Sequence, residues 1–198
     1  MQIKLCGLTR IEDIETANLL QPDYVGFVFY QKSKRNVSVD KAVELRKALN
    51  KEIKVVAVFL NEEIDKVVEI ANYDFVDMVQ VHGNLSKGYI KDIKTRTNKK
   101  VIQAFRIKNE EDIEKANASI ADLVLLDNGD GGTGKPFNWE LLSGMKREFI
   151  LAGGLNAENV GLAIEKCHPI MVDASSSIET NGVKDKEKMA AFVAAVRR

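Results

Sequence analysis

Short apolar runs, rich in β-branched residues, alternate along this chain with longer stretches of helical periodicity, and eight such runs can be counted. The runs are Ile3–Cys6, Tyr24–Phe29, Lys54–Phe59, Met78–His82, Val101–Phe105, Leu123–Asp127, Phe149–Ala152 and Ile170–Ala174. Most are nearly continuous in hydrophobicity, as parallel strands covered on both faces require. Strict alternation of strand and helix implies a parallel sheet. Eight such units either close on themselves or form a long open sheet. Closure is favoured, because polar and glycine-rich residues gather at the carboxyl ends of the runs, the face where closed barrels keep their active sites. The expected fold is α/β: a single (β/α)8 barrel of minimal size, spanning residues 1–198 as one domain.

The segments between the runs carry helical stripes. Ile11, Ile14, Ala17 and Leu20 form one. Val43, Leu45 and Leu49 form another, which Ser38 or Asp40 would cap, and Ile64, Val67, Val68 and Ala71 a third, with Asn61 as its expected cap. Asn109 and Asn156 precede the stripes Ile113–Ala116 and Val160–Ile164, and a last helix is expected from about Asp185 to Val196. Trp139–Met145 gives only a weak helix. The chain is slightly short for such a barrel, so its loops must be short and some helices reduced.

Lys plus Arg equals Asp plus Glu, at 29 each, which gives no reason to expect a nucleic acid or an anionic membrane as partner. Two cysteines, Cys6 and Cys167, make no disulfide framework. The amino-terminal residues read as a strand and turn rather than a signal peptide, and no apolar run approaches the roughly 20 residues of a membrane span. A cytoplasmic location is therefore expected, with association limited to a monomer or homodimer.

The residues that end each run suggest chemistry. Ala152-Gly153-Gly154-Leu155 lets backbone amides approach an anion, Ser175-Ser176-Ser177 adds hydroxyls and amides, and Gly132-Thr133-Gly134 lies at the neighbouring strand end. A glycine pair alone serves a tight turn as readily. Three such loops at consecutive strand ends read as a phosphate cradle. Cys6 is either a small buried hydrophobe or, at a strand end before glycine, a thiolate base or nucleophile. Asp127 is a loop or cap residue unless its proton affinity is raised, in which case it is a general acid. Asp122 begins the same strand at the opposite face and reads as a turn or solvent residue. Asp173 is structural or supporting, and Cys167 structural. Arg35, exposed after Lys32 and Lys34, is a solvated loop residue or a two-pronged grip on a carboxylate. His82 is a strand-end histidine that is satisfied locally or contacts a ligand. No zinc spacing and no dinucleotide fingerprint is present.

As a set, these residues resemble the phosphoribosylanthranilate isomerase family. The matching stretches are KLCGLTR at 4–10, DYVGFVFYQKSKRNVS at 23–38, VQVHG at 79–83, LLDNGDGGTGKPFNW at 125–139, LAGGLNAENV at 151–160 and VDASSSIETNGVKD at 172–185. The resemblance implies an Amadori rearrangement of N-(5′-phosphoribosyl)anthranilate in tryptophan biosynthesis, without metal or cofactor. It implies Cys6 as general base, Asp127 as general acid, Arg35 on the anthranilate carboxylate and His82 in the substrate site. Gly132, Gly154, Ser175 and Ser176 would surround the phosphate. The family often carries proline, aspartate and glycine where Lys34, Asn138 and Ser177 stand, and none of these departures removes a catalytic group. Three rivals remain: a histidine-pathway isomerase, which places aspartate in the first strand; a pentulose-phosphate epimerase, which needs metal-binding histidines; and a barrel that binds a phosphorylated ligand without turning it over.

Overall fold

The computed structural model describes residues 1–128 and 139–198. Eight parallel strands close into a barrel in sequence order: β1 (Gln2–Cys6), β2 (Tyr24–Val28), β3 (Lys54–Leu60), β4 (Met78–His82), β5 (Lys100–Ile107), β6 (Leu123–Asn128), β7 (Phe149–Leu151) and β8 (Met171–Ala174). Closure comes from β8 pairing with β1, in the register Ile3 with Val172 and Leu5 with Ala174. The barrel itself is left without an edge strand to template aggregation.

Because side chains alternate along a strand, each strand serves two layers. Ile3, Leu5, Val25, Phe27, Val55, Ala57, Val79 and Val81 point outward into the layer beneath the helices. Their neighbours Cys6, Tyr24, Val56, Val58, Met78, Ile102, Leu125, Ile150 and Met171 fill the barrel interior. A barrel of eight strands is just wide enough for side chains to fill it, so the interior is a packed core with a mouth rather than a pore.

The outer ring consists of α1 (Ile11–Leu20), α2 (Val39–Ala48), α3 (Ile64–Ala71), α4 (Lys87–Thr97), α5 (Glu110–Asn117), α6 (Val160–Cys167) and α7 (Lys186–Val196). Ser38, Asn109 and Asp185 cap α2, α5 and α7 through their side chains. Asn156 acts one turn ahead of α6, accepting from the amides of Glu158 and Asn159. Asn61 does not cap α3. It sits at a left-handed φ of 46°, and Glu63 takes the cap position without a side-chain bond. Trp139–Gly144 forms a 3-10 segment where a full helix would complete the alternation. After β8 the chain makes a short 3-10 turn (Ser176–Ile178) and a two-stranded hairpin, β9 (Glu179–Thr180) and β10 (Val183–Lys184), before α7. No helix among the described residues is long and apolar enough to cross a membrane.

Candidate active site

Inward-facing residues at the carboxyl ends of the strands share one cavity of about 480 Å3. Cys6 enters from β1, His82 from β4, Arg106 from β5 and Asp127 from β6, while Gly154, Ser175 and Ser176 stand on the loops after β7 and β8. Arg35 lines it too, so the cavity joins seven of the eight residues to which the resemblance gives a role. The eighth, Gly132, lies outside the described residues, as do Thr133, Gly134 and Asn138.

Cys6 is buried, 7% exposed, yet its sulfur reaches the cavity. Gly26 is its register partner on β2, and a Cβ there would stand 2.7 Å from Sγ, so only glycine leaves room for the thiol. Burial pushes the thiol above its ordinary value, although Lys4 and Lys184 pull the other way. Asp127 is half-buried, and Asp173 lines the same cavity.

Asp173 is more than structural filling. Its carboxylate accepts a 3.0 Å hydrogen bond from the ammonium of Lys4, its register partner on β1. Lys4 is completely buried. Gln80, also inside the barrel, places its amide nitrogen 2.7 Å from Nε2 of His82. The carbonyl oxygen of Gln80 is buried and has no hydrogen-bond partner among the described residues. Burial, Lys4 and Arg106 lower the His82 imidazole from its ordinary value to about 4, so the ring is neutral and Nε2 accepts from the amide.

The loop after β2 carries Arg35, which is less exposed than a solvated loop residue. The side chain is 30% exposed, and its Nε and Nη2 donate to the two carboxylate oxygens of Glu179 at 2.6 and 2.7 Å. Lys184 pairs with the same carboxylate and donates to the Ser175 carbonyl oxygen at 2.9 Å. Burial would raise the Glu179 carboxyl, but the bonds from Arg35 and Lys184 outweigh it and hold the group below its usual range. The hairpin β9–β10 therefore fastens the Arg35 loop to the rim.

Two rim features fit an anion. Gly153 and Gly154 both adopt positive φ, 79° and 69°, conformations that strain other residues. The Ser175 hydroxyl donates to the Cys6 carbonyl oxygen at 3.1 Å, which leaves its backbone amide, rather than its hydroxyl proton, for an anion. No cluster of three or more His, Cys, Asp or Glu able to hold a metal occurs among the described residues.

Lys4, Gln80 and Glu179 were not singled out from the sequence. A usable signal existed for the first two: each is a polar residue inside an apolar run, on the same alternating face as a mouth residue, Cys6 for one and His82 for the other. Glu179 carried no local signal, since its partner is 144 residues away.

Comparison with known proteins gives one consistent answer. The family model described as N-(5'phosphoribosyl)anthranilate (PRA) isomerase matches residues 3–195. The N-(5'-phosphoribosyl)anthranilate isomerase of Thermoanaerobacter sp. (strain X514) is 48% identical, with 100% of this chain and 98% of the relative covered. A structure of monomers generated from the dimeric phosphoribosylanthranilate isomerase of Thermotoga maritima superposes with a TM-score of 0.88 at 35% identity, covering 100% of this chain and 98% of that one. A phosphoribosyl anthranilate isomerase solved in complex with reduced 1-(o-carboxyphenylamino)-1-deoxyribulose 5-phosphate superposes with a TM-score of 0.86 at 34% identity and the same coverage.

Proposed function

This chain belongs to the N-(5'-phosphoribosyl)anthranilate isomerase family, and on that premise we propose that Cys6 and Asp127 act as base and acid of the family's rearrangement at the barrel mouth. The reaction is the isomerisation of N-(5′-phosphoribosyl)anthranilate to 1-(2-carboxyphenylamino)-1-deoxyribulose 5-phosphate, a step of tryptophan biosynthesis. Asp127 protonates the furanose ring oxygen as the C1–O bond breaks, and the anthranilate nitrogen supplies the electron pair that forms the iminium. The Cys6 thiolate then removes the C2 proton to give the enolamine, which tautomerises to the ketone. Each step moves a proton, so the scheme calls on no metal or cofactor.

The observation that carries this reading is the shared cavity: a thiol and a carboxyl group, on strands separated by β7 and β8, open into one space with glycine amides at its rim. Gly154, Ser175 and Ser176, with Gly132 from outside the described residues, take the phosphate. Arg35 takes the anthranilate carboxylate with the guanidinium edge that Glu179 leaves open, and His82 contacts the substrate. The buried, unpaired oxygen of Gln80 accepts from a sugar hydroxyl. The chain works as one domain, as a monomer or homodimer.

The test is turnover of freshly made phosphoribosylanthranilate, followed by loss of anthranilate-type fluorescence. Activity is expected without added metal. Cys6→Ser and Asp127→Asn should each lower kcat by at least about a hundredfold, with smaller effects on KM. A near-normal kcat in either variant removes that residue from the mechanism, and binding without turnover in the unsubstituted protein would leave only a ligand-binding barrel.

A further inference from the structure

Lys4 is the largest wholly buried charged side chain in the barrel, and nothing in the proton transfers above requires it. It stands two residues before Cys6 on β1, so both side chains point inward on the same face. Its ammonium is pinned at 3.0 Å by Asp173, which sits directly across on β8 and reaches the cavity that Lys4 itself does not line. An ammonium fixed in this way is costly to desolvate, and a single carboxylate at good geometry only roughly offsets that. A pair of apolar residues would fill the space at lower cost, so the pair points to something beyond packing.

The Cys6 thiol lies two residues further along the same inward face, close enough for its charge to act on the ammonium. We propose that Lys4 is a positioning residue for the base, pinned by Asp173 beneath the sulfur so that one N–H meets the thiolate from the interior side while the cavity side stays open to substrate.

The charges around Cys6 support this division of labour. Lys4 on β1 and Lys184 on β10 stabilise the thiolate, Asp173 on β8 opposes it, and Arg35 on the loop after β2 also feels its charge. Asp127, His82 and Arg106 face the same cavity from the opposite wall. Of the two lysines, Lys184 is engaged by the Glu179 carboxylate and the Ser175 carbonyl. Lys4 also holds its proton firmly: burial alone would lower its ammonium, but Asp173 and Cys6 together raise it above its ordinary value. It thus holds its proton more firmly than a solvated lysine does.

The inference rests on Cys6 as the base, and its test separates the two claims. In a Cys167→Ser background residue 6 is the only thiol. Its ionisation can then be titrated by thiolate absorbance, against Cys6→Ser as blank, with no substrate present. Lys4→Met should raise the midpoint by about one pH unit or more. The double variant Lys4→Met/Asp173→Asn, which leaves no unpaired buried carboxylate, should keep the upward shift, because the ammonium acts on the sulfur more strongly than the carboxylate does. In the double variant kcat/KM at neutral pH should fall about tenfold and recover toward alkaline pH, with KM little changed. An unchanged thiol midpoint in the double variant overturns the proposal, as does a loss of kcat/KM that is flat with pH. A normal kcat in Cys6→Ser would instead sink the base assignment and leave the thiol titration to report on Lys4 alone.

Discussion

At the scale of single residues, the mouth is governed by what burial does to charge. Taking a group out of water disfavours its ionised form. Here that keeps the Cys6 thiol protonated further into the alkaline range and keeps His82 neutral. For His82 the consequence for folding has a definite sign. The unfolded chain takes up a proton near pH 6.5, whereas the folded chain resists until about 4. Stability from this residue is complete above the higher value and is lost as the pH falls between the two. The ring is only half-buried, so the loss should amount to about 1–2 kcal/mol. Denaturant melts of the protein and of His82→Gln across that window check it: the variant should show the shallower acid slope. Parallel slopes would mean that the imidazole is solvated in the folded state. In the sequence His82 was a strand-end histidine, satisfied locally or in contact with a ligand, and Lys4 only a polar residue within the apolar run of β1. Which face of β1 turned inward became definite only when the barrel closed.

At the scale of elements, legibility followed hydrophobic contrast. All eight strands could be read, because their apolar runs are bounded by polar turns. Helix α4 went unread: KGYIKDIKTRT buries only Ile90, Ile93 and Thr97, too sparse a stripe to stand out from the charges around it. The hairpin β9–β10 was missed for a similar reason, since two-residue strands have no period to detect. Yet it matters to the site, because Glu179 holds Arg35 from it. Removing that carboxylate's charge leaves Lys184, 2% exposed, and part of Arg35 without compensation. Glu179→Gln should therefore destabilise the protein by about 2 kcal/mol, less than the 3–5 typical of fully buried pairs because Arg35 is partly solvated. The melting temperature should fall by about 4–8 °C, and KM should rise severalfold as the guanidinium loses its orientation. A lower melting temperature with an unchanged KM would restrict the hairpin to a structural role.

At the scale of the whole molecule, the closed sheet makes each strand depend on two neighbours, with β8 and β1 sealing the ring. The helical layer adds a second closure: α7 packs on α1, α6 and β1, tying the last element to the first. A molecule so connected should unfold as one unit, with coincident far- and near-ultraviolet transitions and equal calorimetric and van't Hoff enthalpies. Two resolved transitions would divide the single domain that the sequence led us to expect. The same wall also has a consequence for how such a chain can vary. Its strands put alternate residues on opposite sides, so inserting one amino acid into β1 would turn the sulfur toward the helices and send Leu5 into the mouth. Insertions in the loops leave that parity untouched. Length can therefore drift at the rim, where ligands are selected, while the staves of the barrel must keep their count.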